Sequence, residues 1–126
     1  MQTIVLVDDD PDIQESIKIV LENSGYVFKG ATDRESGMSL IENANPDLII
    51  LDVMMEQPDD GFVMAQDLRA GGVKTPIILL TSIGSVTGMK FGKDSEVLSV
   101  NDFEEKPISP DKLLEKVKSL LEKGGE

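Results

Sequence analysis

Two stretches of this chain, Leu48-Ile49-Ile50-Leu51 and Ile77-Ile78-Leu79-Leu80, are apolar without a break, and each runs into a polar residue. A strand with one face in water alternates apolar and polar side chains. An unbroken apolar strand is buried on both faces, the condition of a central strand in a parallel sheet covered by helices. Thr3-Ile4-Val5-Leu6-Val7 has the same character and runs into Asp8-Asp9-Asp10. The chain is therefore constrained to a layered α/β arrangement, and the polar residues that end these runs gather at the carboxyl edge of the sheet, where open α/β sheets bind ligands.

Between the runs lie helix signals. Asp10-Pro11 reads as an N-cap followed by a first-turn proline, Ile13, Ile17, Val20 and Leu21 follow at helical spacing, and Gly25 closes the helix. A second strand is predicted from Tyr26 to Ala31. Thr32-Asp33-Arg34-Glu35 has the spacing of a capping box and opens a second helix, with Met38 and Ile41 inward and Asn45-Pro46 as its stop. The third strand is Leu48 to Leu51. After a polar loop, Glu56 to Gly61, a third helix is predicted from Phe62 to Ala70, ended by Gly71-Gly72. The fourth strand is Pro76 to Leu80. Thr81 to Asp94 holds Gly84, Gly88 and Gly92 and predicts a short or irregular fourth helix. The fifth strand is expected over Val97 to Phe103. Ser109-Pro110 starts a fifth helix with the apolar stripe Leu113, Leu114, Val117, Leu120 and Leu121, leaving Lys123 to Glu126 as a polar tail. Five strands alternating with five helices make a doubly wound parallel sheet, with right-handed crossovers placing helices on both faces.

A length of 126 residues suits one such domain. Residues 1–122 are read as the domain and 123–126 as the tail. With five aromatic residues (Tyr26, Phe28, Phe62, Phe91, Phe103), the core is expected to be aliphatic. The net charge of −12 opposes direct nucleic-acid binding and favours cations or a basic partner. The absence of cysteine excludes disulfides and thiolate chemistry, and the absence of histidine excludes a phosphohistidine donor or an imidazole base. No basic-then-apolar leader and no membrane-length run is present, so the chain is read as soluble and cytoplasmic, without a membrane partner.

Five residues at the ends of the runs carry the chemistry: Asp8, Asp9, Asp52, Thr81 and Lys106. Each has an ordinary explanation when taken singly. The aspartate run caps a helix, Asp52 is a turn residue after a strand, Thr81 is β-branched, and Lys106 is a solvated cation. Together they describe a hard oxygen site suited to Mg²⁺, with a carboxylate able to act as a nucleophile toward phosphorus and with a hydroxyl and an ammonium for the phosphoryl oxygens.

The motifs Val7-Asp8-Asp9-Asp10-Pro11-Asp12-Ile13, Pro46-Asp47-Leu48-Ile49-Ile50-Leu51-Asp52, Leu80-Thr81-Ser82 and Phe103-Glu104-Glu105-Lys106-Pro107 stand in this order, and the chain from Ile4 to about Leu121 resembles the receiver domain of two-component response regulators. That resemblance implies a flavodoxin-like (βα)5 sheet of strand order 2-1-3-4-5. It implies Asp52 as phosphoacceptor, Asp8, Asp9 and Asp52 as Mg²⁺ ligands with the main-chain carbonyl of Met54, Thr81 and Lys106 as phosphate contacts, and Phe103 as a switch aromatic. It also makes Lys106-Pro107 a candidate cis peptide.

The sequence departs from the family pattern at three places. Glu56 stands where a proline is usual, in a loop one residue longer than usual. The glycine-rich Thr81-to-Lys106 stretch is also longer, and Ser82 replaces a very small residue.

The implied function is a phosphoacceptor that takes a phosphoryl group from a histidine kinase or a histidine phosphotransfer protein. It then alters a protein-binding face around the predicted fourth helix, fifth strand and fifth helix, for an unidentified downstream target. It catalyses only its own phosphorylation and dephosphorylation. No output domain is expected, and the protein is expected to be a monomer or a phosphorylation-dependent dimer. Two alternatives remain open from the residues: a small Mg²⁺-dependent phosphohydrolase of haloacid dehalogenase type with Asp8 as nucleophile, and a receiver-like binding module that is not phosphorylated.

Overall fold

A computed structural model describes residues 2–52, 60–82, 102–106 and 110–124, at the backbone alone for 60–62, 81–82, 102–106, 110 and 123–124. The elements alternate as β1 (Thr3–Val7), α1 (Pro11–Asn23), β2 (Val27–Ala31), α2 (Arg34–Ala44), β3 (Leu48–Asp52), α3 (Asp60–Ala70), β4 (Ile77–Ser82), β5 (Asp102–Lys106) and α4 (Pro110–Gly124). The last is the counterpart of the fifth helix read from the sequence.

All strand pairings are parallel. β1 pairs with β2 on one side and β3 on the other, and β3 pairs with β4. β5 runs alongside β4, with Thr81 opposite Glu105 and Ser82 opposite Lys106.

The unbroken apolar runs behave as two-faced strands. Ile4, Leu6, Leu48, Ile50, Ile78 and Leu80 pack with Ile17 and Leu21 of α1 and with Leu113, Val117 and Leu121 of α4. The alternate residues Val5, Val7, Ile49, Leu51, Ile77 and Leu79 pack with Ile41 of α2 and with Met64, Ala65 and Leu68 of α3. Period-two alternation thus sends successive side chains into two separate aliphatic cores. α2 lies especially close to the sheet at Gly37, where an added Cβ would meet Val7 Cγ2 at 2.7 Å and Met64 Cε at 2.9 Å.

The ends of the helices follow the sequence signals with adjustments. The Asp10 side chain caps α1 by accepting the Asp12 N–H at 2.9 Å, and Pro11 sits in the first turn. Gly25 carries the chain out of the helix at φ +90°. Helix α2 opens at the predicted place, but its N-cap is Asp33 rather than Thr32. Asp33 accepts the Ser36 N–H at 2.7 Å, and a carboxylate makes a stronger, charge-assisted bond to the positive helix end than a hydroxyl does. Asn45 ends α2 in the left-handed region at φ 48°, as its position before Pro46 suggests.

Boundaries differ elsewhere. β2 starts at Val27 and β4 at Ile77, β3 extends to Asp52 and β4 to Ser82, α3 starts at Asp60, and α4 continues to Gly124, so that Lys123 and Gly124 are helical rather than tail. The fifth strand, expected over Val97 to Phe103, is described over Asp102–Lys106 and so runs on past Phe103, while 97–101 lie outside the described residues. Among the described residues it pairs only with β4, so the backbone ladder holds it and it has no need of an unbroken apolar run. The glycine-rich segment of the predicted fourth helix, the loop with Met54 and Glu56, the Ser109 cap and the Lys106-Pro107 peptide lie outside the described residues.

At the amino edge of the sheet, the Asp47 carboxylate accepts the Thr3 N–H and the Asp47 N–H donates to the Thr3 carbonyl, both at 2.8 Å. Beyond α3, the Arg69 guanidinium donates to the Val73 and Thr75 carbonyls at 3.1 and 2.7 Å, which fixes the turn into β4.

The contact at Gly37 gives a test of the fold. Gly37→Ala gains helix propensity but forces a methyl into Val7 and Met64, and overpacking is expected to win by about 1–2 kcal/mol net. Urea denaturation should show a lower midpoint with an unchanged slope.

Candidate functional site

The strand register delivers the polar residues to one edge. Val7 is opposite Leu51, so the next residue on each strand, Asp8 and Asp52, stand side by side. Asp52 is opposite Leu80, which places Thr81 one step further along β4, while Lys106 is the last residue of β5, opposite Ser82. The backbones of all these residues therefore meet at the carboxyl edge. Phe103 lies further back on β5, opposite Leu79.

Among the described residues, Asp8 and Asp52 are the only buried charged side chains, at 0% and 4% exposure, while Asp9 is exposed. Each of the three contributes one carboxylate oxygen to a group lying within 4.8 Å of one another. Like charges this close oppose joint ionisation unless a cation joins them. The turn that carries Asp8 is ordered by its own bonds: Asp8 Oδ1 accepts the Asp10 N–H at 2.9 Å, and the Asp8 N–H donates to the Ala31 carbonyl at 3.1 Å.

The donor set is entirely oxygen, with two buried carboxylates and one exposed, and it suits a hard divalent cation. An octahedral ion at about 2.1 Å from its ligands places their oxygens about 3–4 Å apart, within modest closure of the spacing here. The exposed Asp9 side leaves room for water or a phosphoryl oxygen. Asp10 does not join the cluster. Its carboxylate is engaged as the α1 cap, which counts against an Asp8-x-Asp10 nucleophile pair of the phosphohydrolase kind.

The sequence reading identified the three carboxylates that converge. It gave no role to Gln14, whose side chain reaches the same turn by donating to the Asp8 carbonyl at 3.0 Å and the Ala31 carbonyl at 2.7 Å. No pattern in the sequence marked it, since a glutamine in the first turns of a helix breaks none.

A parallel α/β sheet with buried acids at its carboxyl edge defines a class of single-site cation- and phosphate-handling domains, and comparison with known proteins makes this particular. The family model for the response regulator receiver domain matches residues 4–118. The chain is 35% identical over 123 residues to the DNA-binding dual master transcriptional regulator RpaA of a Synechocystis species, covering 96% of this chain and 49% of that protein. It is 36% identical over 118 residues to the response regulator MprA of a Mycobacterium species, covering 94% and 50%. Among solved structures, the receiver domain of the Francisella response regulator 1452 superposes with a TM-score of 0.83 at 28% identity, each chain being 98% covered.

This chain belongs to the response regulator receiver domain family. Members are phosphorelay signalling domains of two-component systems. They are phosphoacceptors rather than classical enzymes, are phosphorylated by histidine kinases, and bind Mg²⁺ at an acidic pocket. The chain spans about half the length of the curated relatives it matches. No helix of the described residues is long and apolar enough to cross a membrane.

Relief of the carboxylate repulsion is measurable. Mg²⁺ at about tenfold its dissociation constant is expected to stabilise the protein by about 1.4 kcal/mol, a rise in Tm of a few degrees. Asp8→Asn should lose that rise in a thermal melt while folding normally without the metal.

Proposed function

We propose that Asp52 is the phosphoacceptor of this chain, with Mg²⁺ held by Asp8, Asp9, Asp52 and the main-chain carbonyl of Met54. The observation that carries this reading is the convergence of the buried Asp8 and Asp52 with Asp9 into one oxygen cluster at the carboxyl edge of the sheet. When bound, the cation neutralises charge on the transferring phosphoryl oxygens.

Asp52 ends β3, a strand with four apolar residues before it, so its backbone is fixed and its carboxylate needs little reorganisation to attack. A partner's phosphohistidine supplies the phosphoryl group. The Asp52 oxygen forms a bond to phosphorus, the phosphorus–nitrogen bond breaks, and the leaving imidazole nitrogen takes up a proton. Lys106 and Thr81, at the ends of β5 and β4, are assigned to the phosphoryl oxygens. The backbone register of β3, β4 and β5 supports that assignment by bringing their positions to the same edge. Phe103 is assigned the coupled switch.

The complete chain is read as a doubly wound (βα)5 flavodoxin-like domain of strand order 2-1-3-4-5, a reading supported by the parallel pairings among the described strands. The phosphoryl donor is a histidine kinase or a histidine phosphotransfer protein. The downstream protein partner is assigned to the face read from the sequence, around the fourth helix expected in Thr81 to Asp94, β5 and α4, and the protein works in the cytoplasm. With no histidine of its own, the chain receives the phosphoryl group and does not originate it.

Incubation with acetyl phosphate and Mg²⁺ tests the assignment by intact-protein mass. One phosphoryl increment is expected in the wild type, none without Mg²⁺, and none in Asp52→Ala. Normal labelling of Asp52→Ala would remove Asp52 from the role. Absence of labelling in the wild type, together with failure to bind beryllofluoride, would leave a receiver-shaped binding module. Lys106→Ala is expected to keep Mg²⁺ binding, read by calorimetry, while losing the phosphorylation-dependent response.

A further inference from the structure

The acid pair sits in a three-residue turn between the end of β1 at Val7 and the start of α1 at Pro11. The Gln14 side chain, outside that turn, fastens its main chain. Gln14, half-buried in the first turns of α1, places Nε2 at 3.0 Å from the Asp8 carbonyl and 2.7 Å from the Ala31 carbonyl. The Ala31 carbonyl also accepts the Asp8 N–H at 3.1 Å. The main chain of Asp8 is thus fastened to the end of β2 on both sides, directly through its N–H and through the Gln14 amide at its carbonyl. Both targets are acceptors, so only the NH₂ side of the amide can face them, and it has two protons to give.

Gly30 completes the arrangement. A Cβ there would lie 2.1 Å from Gln14 Oε1 and 3.1 Å from Gln14 Cδ. The glycine is the space in which the amide sits.

We infer that Gln14 is a positioning residue for the Asp8–Asp9 carboxylates, and that Gly30 is the seat that keeps its amide in place. The inference rests on the reading of Asp8 and Asp9 as Mg²⁺ ligands. Its physical basis is pre-organisation. Ligands already held at the binding geometry need not be ordered when the cation arrives, and partners that orient ligands are worth roughly 10–100-fold in metal affinity. A residue that only stabilised the start of α1 would lower Tm and leave the affinity of the folded protein unchanged.

Calorimetric titration with MgCl₂ of the wild type, Gln14→Ala, Gly30→Ala and the double variant separates these roles. Gln14→Ala is expected to weaken Mg²⁺ binding by about tenfold, and Gly30→Ala, which pushes the amide off its seat, by a similar factor. The double variant should bind no more weakly than Gln14→Ala, because without the amide the new methyl meets only the edge of the Phe28 ring, at 3.1 Å, away from the acid turn. In the metal-free Gln14→Ala protein, hydrogen exchange at the Asp10 amide, which donates to Asp8 Oδ1, should be faster.

A Gln14→Ala affinity within about twofold of wild type overturns the positioning role, and so does a lowered Tm with no change in affinity. Effects that multiply in the double variant overturn the seat. If Gln14→Ala fails to fold, Gly30→Ala carries the same comparison, and its wild-type affinity would overturn the inference. A wild type that binds no Mg²⁺ is a separate outcome. It overturns the proposed function, and the inference with it.

Discussion

Two carboxylates kept out of water at the end of an aliphatic sheet are the constraint on which the rest of this structure depends. Asp8 and Asp52 are nearly fully buried, side by side, in a chain that already carries a net charge of −12. Two carboxylates this close repel one another unless opposite charge or hydrogen bonds offset it. The sheet sets their positions. Each aspartate follows directly on an apolar strand residue packed on both sides, and the strands are locked in register. The stability of the two aliphatic cores underwrites an electrostatically unfavourable arrangement, a common relation between a fold and its site.

The cores and the site were unequally legible in the sequence. Leu48-Ile49-Ile50-Leu51 and Ile77-Ile78-Leu79-Leu80 announce buried parallel strands because no other common element tolerates such runs at that length. Asp10-Pro11 and Asn45-Pro46 announce helix ends because their backbone preferences leave few alternatives. The carboxyl end of β5 was read too short because the ladder with β4 rather than hydrophobicity defines it, and Asp102-Phe103-Glu104-Glu105-Lys106 looks polar from within. The capping-box spacing pointed to Thr32 as the cap, and the geometry of the turn selects the Asp33 carboxylate instead. At the site, the acids were visible because each ends an apolar run. Gln14 was invisible because a glutamine on a helix has no pattern to break, and its importance exists only where its amide meets two carbonyls from other elements.

The family relationship sets the scale of the conclusions. The relatives with curated descriptions are about twice as long as this chain, and one is described as DNA-binding. The acidity of the chain makes direct contact with a nucleic-acid backbone by these residues unfavourable.

The interior of the sheet has a further consequence. Between the amino edge, fastened by Asp47 and Thr3, and the carboxyl edge with its acids, β3 and β4 carry only aliphatic side chains. Over residues 48–51 and 77–80 no side chain carries a hydroxyl, amide or ionisable group to pass a proton or reorient a dipole. A charge placed at the site therefore finds no side chain in those stretches able to relay a proton toward the opposite end of the domain. A proton relay through the core is thereby closed, and the groups that can answer a charge at the site are those at the strand ends and helix starts beside it. The aliphatic filling that makes the sheet stable thus also sets the direction in which information can leave it.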